Sequence, residues 1–159
     1  MDYELRPPLL EDAAALAELH VRCWKQSYAE QLPADYFTPE QLESRRALWE
    51  RLVADQNPKL RRVIAQSHGE LVGFALAGPG LNGADQLQLY SLYSLAQCHG
   101  SGIGQALLDA VLGDEPAVLW VAQGNARATA FYRRNGFEFD AAQKTDPQLP
   151  QMIELRMLR

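Results

Sequence analysis

Residues 89–108 read LYSLYSLAQCHGSGIGQALL and combine three local patterns. The first part is apolar and aromatic, which predicts a β-strand. A glycine-rich turn follows, and the last part repeats apolar residues at helical spacing. The first N–H groups of a helix have no partner within the helix, and the helix dipole adds positive charge there. A strand, a glycine-rich turn and a helix N-terminus in this order therefore predict a site for a phosphate-bearing ligand.

Two common phosphate-binding loops fit this turn poorly. A Walker A loop ends in Gly-Lys-Ser/Thr, whereas Gln105 and Ala106 follow Gly104 here. A dinucleotide fingerprint needs a third glycine where Gln105 stands and an acid about 20 residues later, near Trp120. Taken alone, the turn also fits an ordinary connection between a strand and a helix, without a ligand.

A second motif lies in residues 125–137, which read NARATAFYRRNGF. Together the two motifs resemble the GNAT superfamily of acetyl-CoA-dependent N-acetyltransferases. The family loop, Gln/Arg-x-x-Gly-x-Gly/Ala, aligns with His99, Gly102 and Gly104. The later family pattern, Asn-x-x-Ala-x-x-Phe-Tyr-x-x-x-Gly-Phe, aligns with Asn125, Ala128, Phe131, Tyr132, Gly136 and Phe137. The resemblance extends over nearly the whole chain, since residues 3–13 look like the first strand and helix of the family.

The composition is that of an ordinary globular domain. The 159 residues are 47% hydrophobic and 22% charged, which predicts a single domain over residues 1–159. A net charge of −5 argues against a nucleic acid partner. No apolar run approaches the roughly 20 residues that cross a bilayer, and the N-terminus lacks a signal-like pattern. Cys23 and Cys98 are expected to be free thiols in a reducing compartment, which predicts a cytoplasmic protein. The sequence shows no His/Cys cluster with metal spacing, so no metal site is expected.

The order of the predicted elements gives the fold class. Apolar patterns predict strands at 2–6, 60–67, 71–77, 86–94, 117–122, 137–142 and 152–158. Helices are predicted at 11–29, from 39 to the Asn57-Pro58 pair, at 102–112 and at 125–135. Loops are expected at Gly78-Pro79-Gly80 and Asn82-Gly83. The result is an α+β fold, GNAT-like, with a mixed, mostly antiparallel central sheet of about seven strands flanked by about four helices.

The resemblance implies where acetyl-CoA binds. Backbone N–H groups of the glycine-rich turn would hold the pyrophosphate, and the pantetheine arm would pair with the end of the strand that precedes the turn. His99 stands where the family usually has Gln or Arg, and Ala96 stands where it usually has proline. Arg127, Arg133 and Arg134 are candidates for phosphate contacts. The implied cofactor-binding residues are Leu92, Tyr93, Ser94, His99, Gly100, Ser101, Gly102, Ile103, Gly104, Gln105, Asn125, Ala128 and Tyr132.

The resemblance also implies catalytic and substrate-binding residues. Tyr132 would be the general acid that protonates the departing thiolate. Trp24, Tyr28 and Gln88 are predicted to contact the acceptor, a primary amine of a small molecule or peptide. Gln88 stands where many family members carry a glutamate, and glutamine cannot accept a proton. The general base therefore stays open among Asp85, Tyr90, Glu30 and Glu70.

The leading interpretation is an acetyl-CoA-dependent N-acetyltransferase in which the amine attacks the thioester directly. An alternative is a non-catalytic module of the same fold that binds or senses acyl-CoA. The departures from the family pattern at His99, Ala96 and Gln88 support this alternative. A third is a nucleotide-binding protein of another kind. A homodimer is an expectation from the family alone.

Overall fold

Seven strands form one sheet in the computed structural model, which describes residues 1–81 and 85–159. The strands are β1 (Glu4–Arg6), β2 (Arg61–Ser67), β3 (Glu70–Pro79), β4 (Leu87–Ser94), β5 (Ala117–Ala122), β6 (Glu138–Asp146) and β7 (Leu149–Leu158). The α-helices are α1 (Ala13–Tyr28), α2 (Pro39–Ala54), α3 (Ile103–Leu112) and α4 (Ala126–Arg134). Short 3-10 turns precede α1 and α3, at Leu10–Asp12 and Ala96–Cys98. None of the described helices is long and apolar enough to cross a membrane.

The strand order is β1-β2-β3-β4-β5-β7-β6, and only the β4–β5 pair is parallel. A parallel neighbour requires a crossover, and α3 supplies it between β4 and β5. β5 is buried except at Trp120, as its continuous apolar sequence predicted. The predicted α+β class, with a mixed and mostly antiparallel sheet, is confirmed.

The helices cover both faces of the sheet. Phe74 in β3 packs edge-on against His20 of α1 and Trp49 of α2. Its neighbour Gly73 points to the other face, where an added Cβ would meet Leu107 of α3 at 3.0 Å. Because successive residues of a strand face opposite sides, α1 and α2 lie on one face and α3 on the other.

The sequence at the start of α2 predicts a capping box, with Thr38 as the N-cap, Pro39 in the first turn and Gln41 completing the box. The Thr38 hydroxyl caps the helix by accepting the Gln41 N–H at 3.2 Å, and Pro39 takes the first helical position. The predicted capping box is wrong in its second half. The Gln41 side chain accepts a hydrogen bond from Arg45 at 3.3 Å instead of returning to the Thr38 backbone.

Three loop predictions also differ from the structure or lie outside it. Gly78 and Pro79 belong to β3, because their partners in β4 extend the ladder. The Asn82-Gly83 turn lies outside the described residues. β7 begins at Leu149, so Pro150 lies inside a strand that was predicted to follow it. Its missing N–H is tolerated because β5 pairs with β7 only from Glu154 onward.

An ion pair ties the N-terminal segment to the start of α1. The Arg6 guanidinium donates to both oxygens of Asp12, at 2.7 and 2.9 Å, and the Leu9 N–H donates to the same carboxylate at 2.7 Å. Only 11% of the Asp12 side chain is exposed. The hydrogen bond from Arg6 holds the pKa of Asp12 below its usual range.

We expect Asp12→Asn to lower the free energy of unfolding by about 2 kcal/mol at pH 7, because Arg6 then loses its partner. Because the pKa of Asp12 is lowered in the fold, its contribution is complete above about pH 4 and is lost as the pH falls further. Urea denaturation at pH 7 and pH 3 should therefore show a gap between the wild type and the variant that narrows at pH 3. The exposed Arg46–Glu50 pair provides the control, since Glu50→Gln should cost less than about 0.5 kcal/mol. A gap that is independent of pH would contradict the assigned role of the carboxylate.

Candidate functional site

A cleft opens where β4 and β5 separate. The two strands pair only from Leu87–Ala117 to Leu89–Leu119. Beyond that point β4 continues along β3 and β5 continues along β7. Tyr90 is an extra residue in the β3–β4 ladder, and a β-bulge of this kind bends its strand. The cleft between the diverging strands has a volume of about 560 Å³.

The glycine-rich turn borders this cleft with backbone N–H groups that lack partners. Gly100 and Gly102 have φ angles of +79° and +90°, which favour glycine. Four residues line the cleft, and their N–H groups bond to no other described residue: Gly100, Gly102, Gly104 and Gln105. These donors, at the N-terminus of α3, can bind an anion.

The other residues of the predicted turn serve its structure. The N–H groups of His99 and Ser101 bond to the carbonyls of Ala96 and Cys98. The Ile103 N–H faces the Ser101 hydroxyl at 3.4 Å, and the Ile103 side chain is fully buried. Ser101 and Ile103 do not line the cleft, although both were predicted to contact the cofactor.

A guanidinium group lies next to the turn. Arg127 of α4 hydrogen-bonds to the His99 ring, and both residues line the cleft together with Arg134. Burial lowers the pKa of Arg127 from a starting value so high that the group stays charged. The first turn of α4 thus places a cation beside the glycine-rich turn.

The edge of β4 that faces the cleft carries unpaired backbone groups. The Leu95 N–H donates to Val72 of β3, and backbone groups of alternate residues point to the same side of a strand. Tyr93 therefore points its N–H and C=O towards β3, whereas Leu92 and Ser94 point theirs towards the cleft. A ligand lying along this edge would pair with these two residues as an added strand.

Helix α4 places Asn125 and Tyr132 on the same side of the cleft. The Asn125 side chain caps the helix by accepting the Ala128 N–H at 3.1 Å. Tyr132 follows two turns later, is 8% exposed, and lines the cleft together with Ala128. Burial raises the pKa of the Tyr132 hydroxyl, with the nearby Tyr28 adding to the effect, so this phenol keeps its proton at neutral pH.

A second group of side chains forms the aromatic and acidic part of the cleft, which we call the acidic pocket: Trp24, Tyr28, Tyr93, Asp146, Leu149, Met152 and Glu154. The hydroxyls of Tyr28 and Tyr93 share a hydrogen bond of 3.1 Å. Burial raises the pKa of both phenols. Sequence reasoning selected Trp24 and Tyr28 but missed Asp146 and Glu154. The residues 151–158, QMIELRML, contain Glu154 as their only acid, but the pattern does not tell which face that residue occupies.

Gln88 lies elsewhere. Its side chain is 7% exposed and accepts the Leu81 N–H at 3.1 Å, so it secures the loop after β3 and does not line the cleft. Glu30, Glu70 and Asp85 do not line it either. Tyr90 does, but its hydroxyl donates to the Pro79 carbonyl.

Comparisons with known proteins agree with this geometry. The model of the acetyltransferase (GNAT) family matches residues 14–137. A probable N-acetyltransferase of Mycobacterium tuberculosis is 30% identical over 138 residues, which cover 81% of this chain and 76% of that protein.

Solved structures share the fold. The PaiA N-acetyltransferase of Thermoplasma acidophilum, in complex with coenzyme A, superposes with a TM-score of 0.69 at 22% identity over 98% of both chains. A ribosomal-protein-alanine N-acetyltransferase of Brucella melitensis gives a TM-score of 0.74 at 20% identity, again over 98% of both chains. At these identities the likeness shows the fold alone.

We expect Asn125→Ala to lower the free energy of unfolding by about 1 kcal/mol, because α4 loses its N-cap. Asn125→Asp keeps the capping oxygen and should unfold within about 0.5 kcal/mol of the wild type, since a carboxylate suits a helix N-terminus. Urea denaturation of the two variants measures the difference. An equal decrease in the free energy of unfolding for both variants would show that Asn125 does not stabilise the protein through its cap.

Proposed function

The chain belongs to the acetyltransferase (GNAT) family, and from this membership we propose that it transfers the acetyl group of acetyl-CoA to a primary amine of a small molecule or peptide. One observation carries the proposal: the partnerless N–H groups of the glycine-rich turn, the free edge of β4 and the Tyr132 phenol all border one cleft. These three features match three requirements of the reaction: a site for the phosphates, backbone groups that bind the arm carrying the thioester, and a proton donor.

The residues present fit coenzyme A. Its pyrophosphate suits the N–H groups of Gly100, Gly102, Gly104 and Gln105, and Arg127 lies close enough to add a positive charge. The amide groups of the pantetheine arm suit the free backbone groups of Leu92 and Ser94. That a structural relative was solved with coenzyme A bound supports this assignment.

Acetyl-CoA supplies an activated acyl carbon: a C–N bond forms to the amine, the C–S bond breaks, the nitrogen loses a proton and the sulfur gains one. Within this chain, the Leu92 N–H faces the cleft and can stabilise negative charge on the thioester oxygen. One such donor contributes about 3 kcal/mol to rate enhancement. Direct attack needs no covalent intermediate on the enzyme.

Tyr132 is our proposed proton donor. Burial raises its pKa and keeps it protonated at neutral pH, and the same burial makes the departing thiolate a stronger base that can take the proton. Tyr28 and Tyr93 also have raised pKa values, so none of the three phenols acts as the base at neutral pH. The proton of the amine therefore leaves through another group or through solvent.

The alternative function, a module that binds acyl-CoA without turnover, shares the same cleft. This alternative is based on the departures from the family pattern at His99, Ala96 and Gln88. The departure at His99 supports it less strongly, because Arg127 places a positive charge beside the turn. A cytoplasmic location, which the two buried free cysteines fit, and a homodimer stay predictions.

Gly102→Ala should raise the dissociation constant for acetyl-CoA about tenfold, because the new Cβ strains a turn held at φ +90°. Gly69→Ala is the matched control: Gly69 has φ +84° in the β2–β3 hairpin and does not line the cleft. Both variants should lose similar stability, but only Gly102→Ala should lose affinity in calorimetric titration. No binding of acetyl-CoA to the wild type would refute the proposed function.

Tyr132→Phe should lower turnover about 100-fold and change the dissociation constant for acetyl-CoA by less than about twofold. Tyr28→Phe and Tyr93→Phe are the controls, because each removes a hydroxyl group from the same cleft. They show whether the loss of turnover is specific to the Tyr132 hydroxyl or follows from any loss of polarity. Steady-state kinetics with a panel of primary amines would give the comparison. If Tyr132→Phe keeps full turnover, another group protonates the thiolate.

A further inference from the structure

The acidic pocket contains carboxylates that the proposed transfer does not yet use. Glu154 pairs with Ala122 at the end of β5, where that strand borders the cleft. Alternate residues of β7 share a face, so Glu154 lies on the same side of the sheet as Met152. Met152 and Ala122 pack in one cluster with Tyr28 of α1. Glu154 therefore faces the space between the sheet and α1.

Aromatic rings enclose the same space. The Trp24 and Tyr28 rings meet edge to face, with centroids 5.1 Å apart, and the Tyr28 and Tyr93 rings do so at 6.4 Å. The faces of such rings carry negative electrostatic potential and attract cations. Rings and carboxylates together form the usual environment for an ammonium group.

The local charges leave the cleft side of the pocket acidic, since Arg45 of α2 lies over the Trp24 ring, 5.0 Å from its centroid, but does not line the cleft. Lys144 of β6 lies 3.7 Å from one Glu154 oxygen, but its side chain is 46% exposed and also lies over the Trp120 ring. Such an exposed pair is weak and leaves the second oxygen of Glu154 available. Asp146, at the end of β6, adds a carboxylate that pairs with no cation among the described residues. Arg156, the next cation along β7, is already paired with Asp140 at 2.6 Å.

We propose that the acidic pocket binds the acceptor as an organic cation, with the Glu154 carboxylate receiving the ammonium group and the Tyr28 and Tyr93 rings beside it. The proposal rests on the proposed acetyl transfer and adds the acceptor class: amines that are protonated when they bind. Acidic or neutral acceptors would gain nothing from this pocket.

A pair of probes of similar size tests the charge. Butylammonium and 1-butanol have the same number of non-hydrogen atoms and differ mainly in the positive charge, and their dissociation constants can be measured by NMR titration at pH 7 with coenzyme A present. The wild type should bind butylammonium about tenfold more tightly than 1-butanol. Glu154→Gln should abolish that preference, and Lys144→Gln should increase it because a competing cation is gone.

Glu138→Gln is the matched control, since Glu138 is an exposed acid of β6 outside the cleft, and it should bind both probes as the wild type does. Equal affinity of the wild type for both probes, or a preference that survives in Glu154→Gln, would overturn the proposal. Titration of the same proteins with coenzyme A distinguishes failure of the proposed acceptor class from failure of the proposed function. Normal coenzyme A binding without a preference for the cation refutes the acceptor class alone, whereas absent coenzyme A binding refutes the proposed function.

Discussion

The early end of the β4–β5 pairing is the constraint on which the rest of the site depends. After Leu89 and Leu119 no ladder joins the two strands, so one edge of β4 keeps its backbone donors and acceptors unpaired. Such groups are costly in a dry interior and are tolerated where a ligand or water can reach them. The bulge at Tyr90 lies where the two strands begin to diverge, and the crossover through α3 follows from their parallel pairing.

The divergence also separates charges along the cleft. The glycine-rich turn contributes N–H groups and lies beside the Arg127 side chain, while the end of β6 contributes Asp146 and the middle of β7 contributes Glu154. The chain as a whole carries a net charge of −5, so the positive region is a local feature that backbone geometry creates. One cleft thereby carries both N–H donors and carboxylates, which suits the proposed joining of a phosphate-bearing donor to an amine.

The sequence predicted those parts of the molecule that local rules determine. Strand β5 matched its predicted bounds, because an apolar run of six residues has the length of a strand and is too short for most helices. The glycine-rich turn and the Asn125 cap were visible because glycine at positive φ and a side-chain cap are local requirements. Glu154 was invisible for the opposite reason: its place in the cleft depends on the register of β7 against β5, which no local pattern reveals. Pro150 misled in the same way, since a proline suits a strand wherever the neighbouring strand has already ended.

Gln88 and Glu154 together show why a carboxylate can be missing from one strand without being missing from the site. Gln88 precedes the divergence, where β4 is still paired on both sides, and its amide is engaged by the Leu81 N–H. A glutamate at that position could accept the same N–H, but its charge would be buried beside the sheet at a cost in free energy. Glu154 comes from the far side of the cleft, where β5 ends and solvent reaches the side chain. A charged group that must meet a substrate is stable there without being buried. The electrostatic character of the cleft thus depends on which side chains the diverging strands leave at its walls, and β7 is as well placed as β4 to supply the acid.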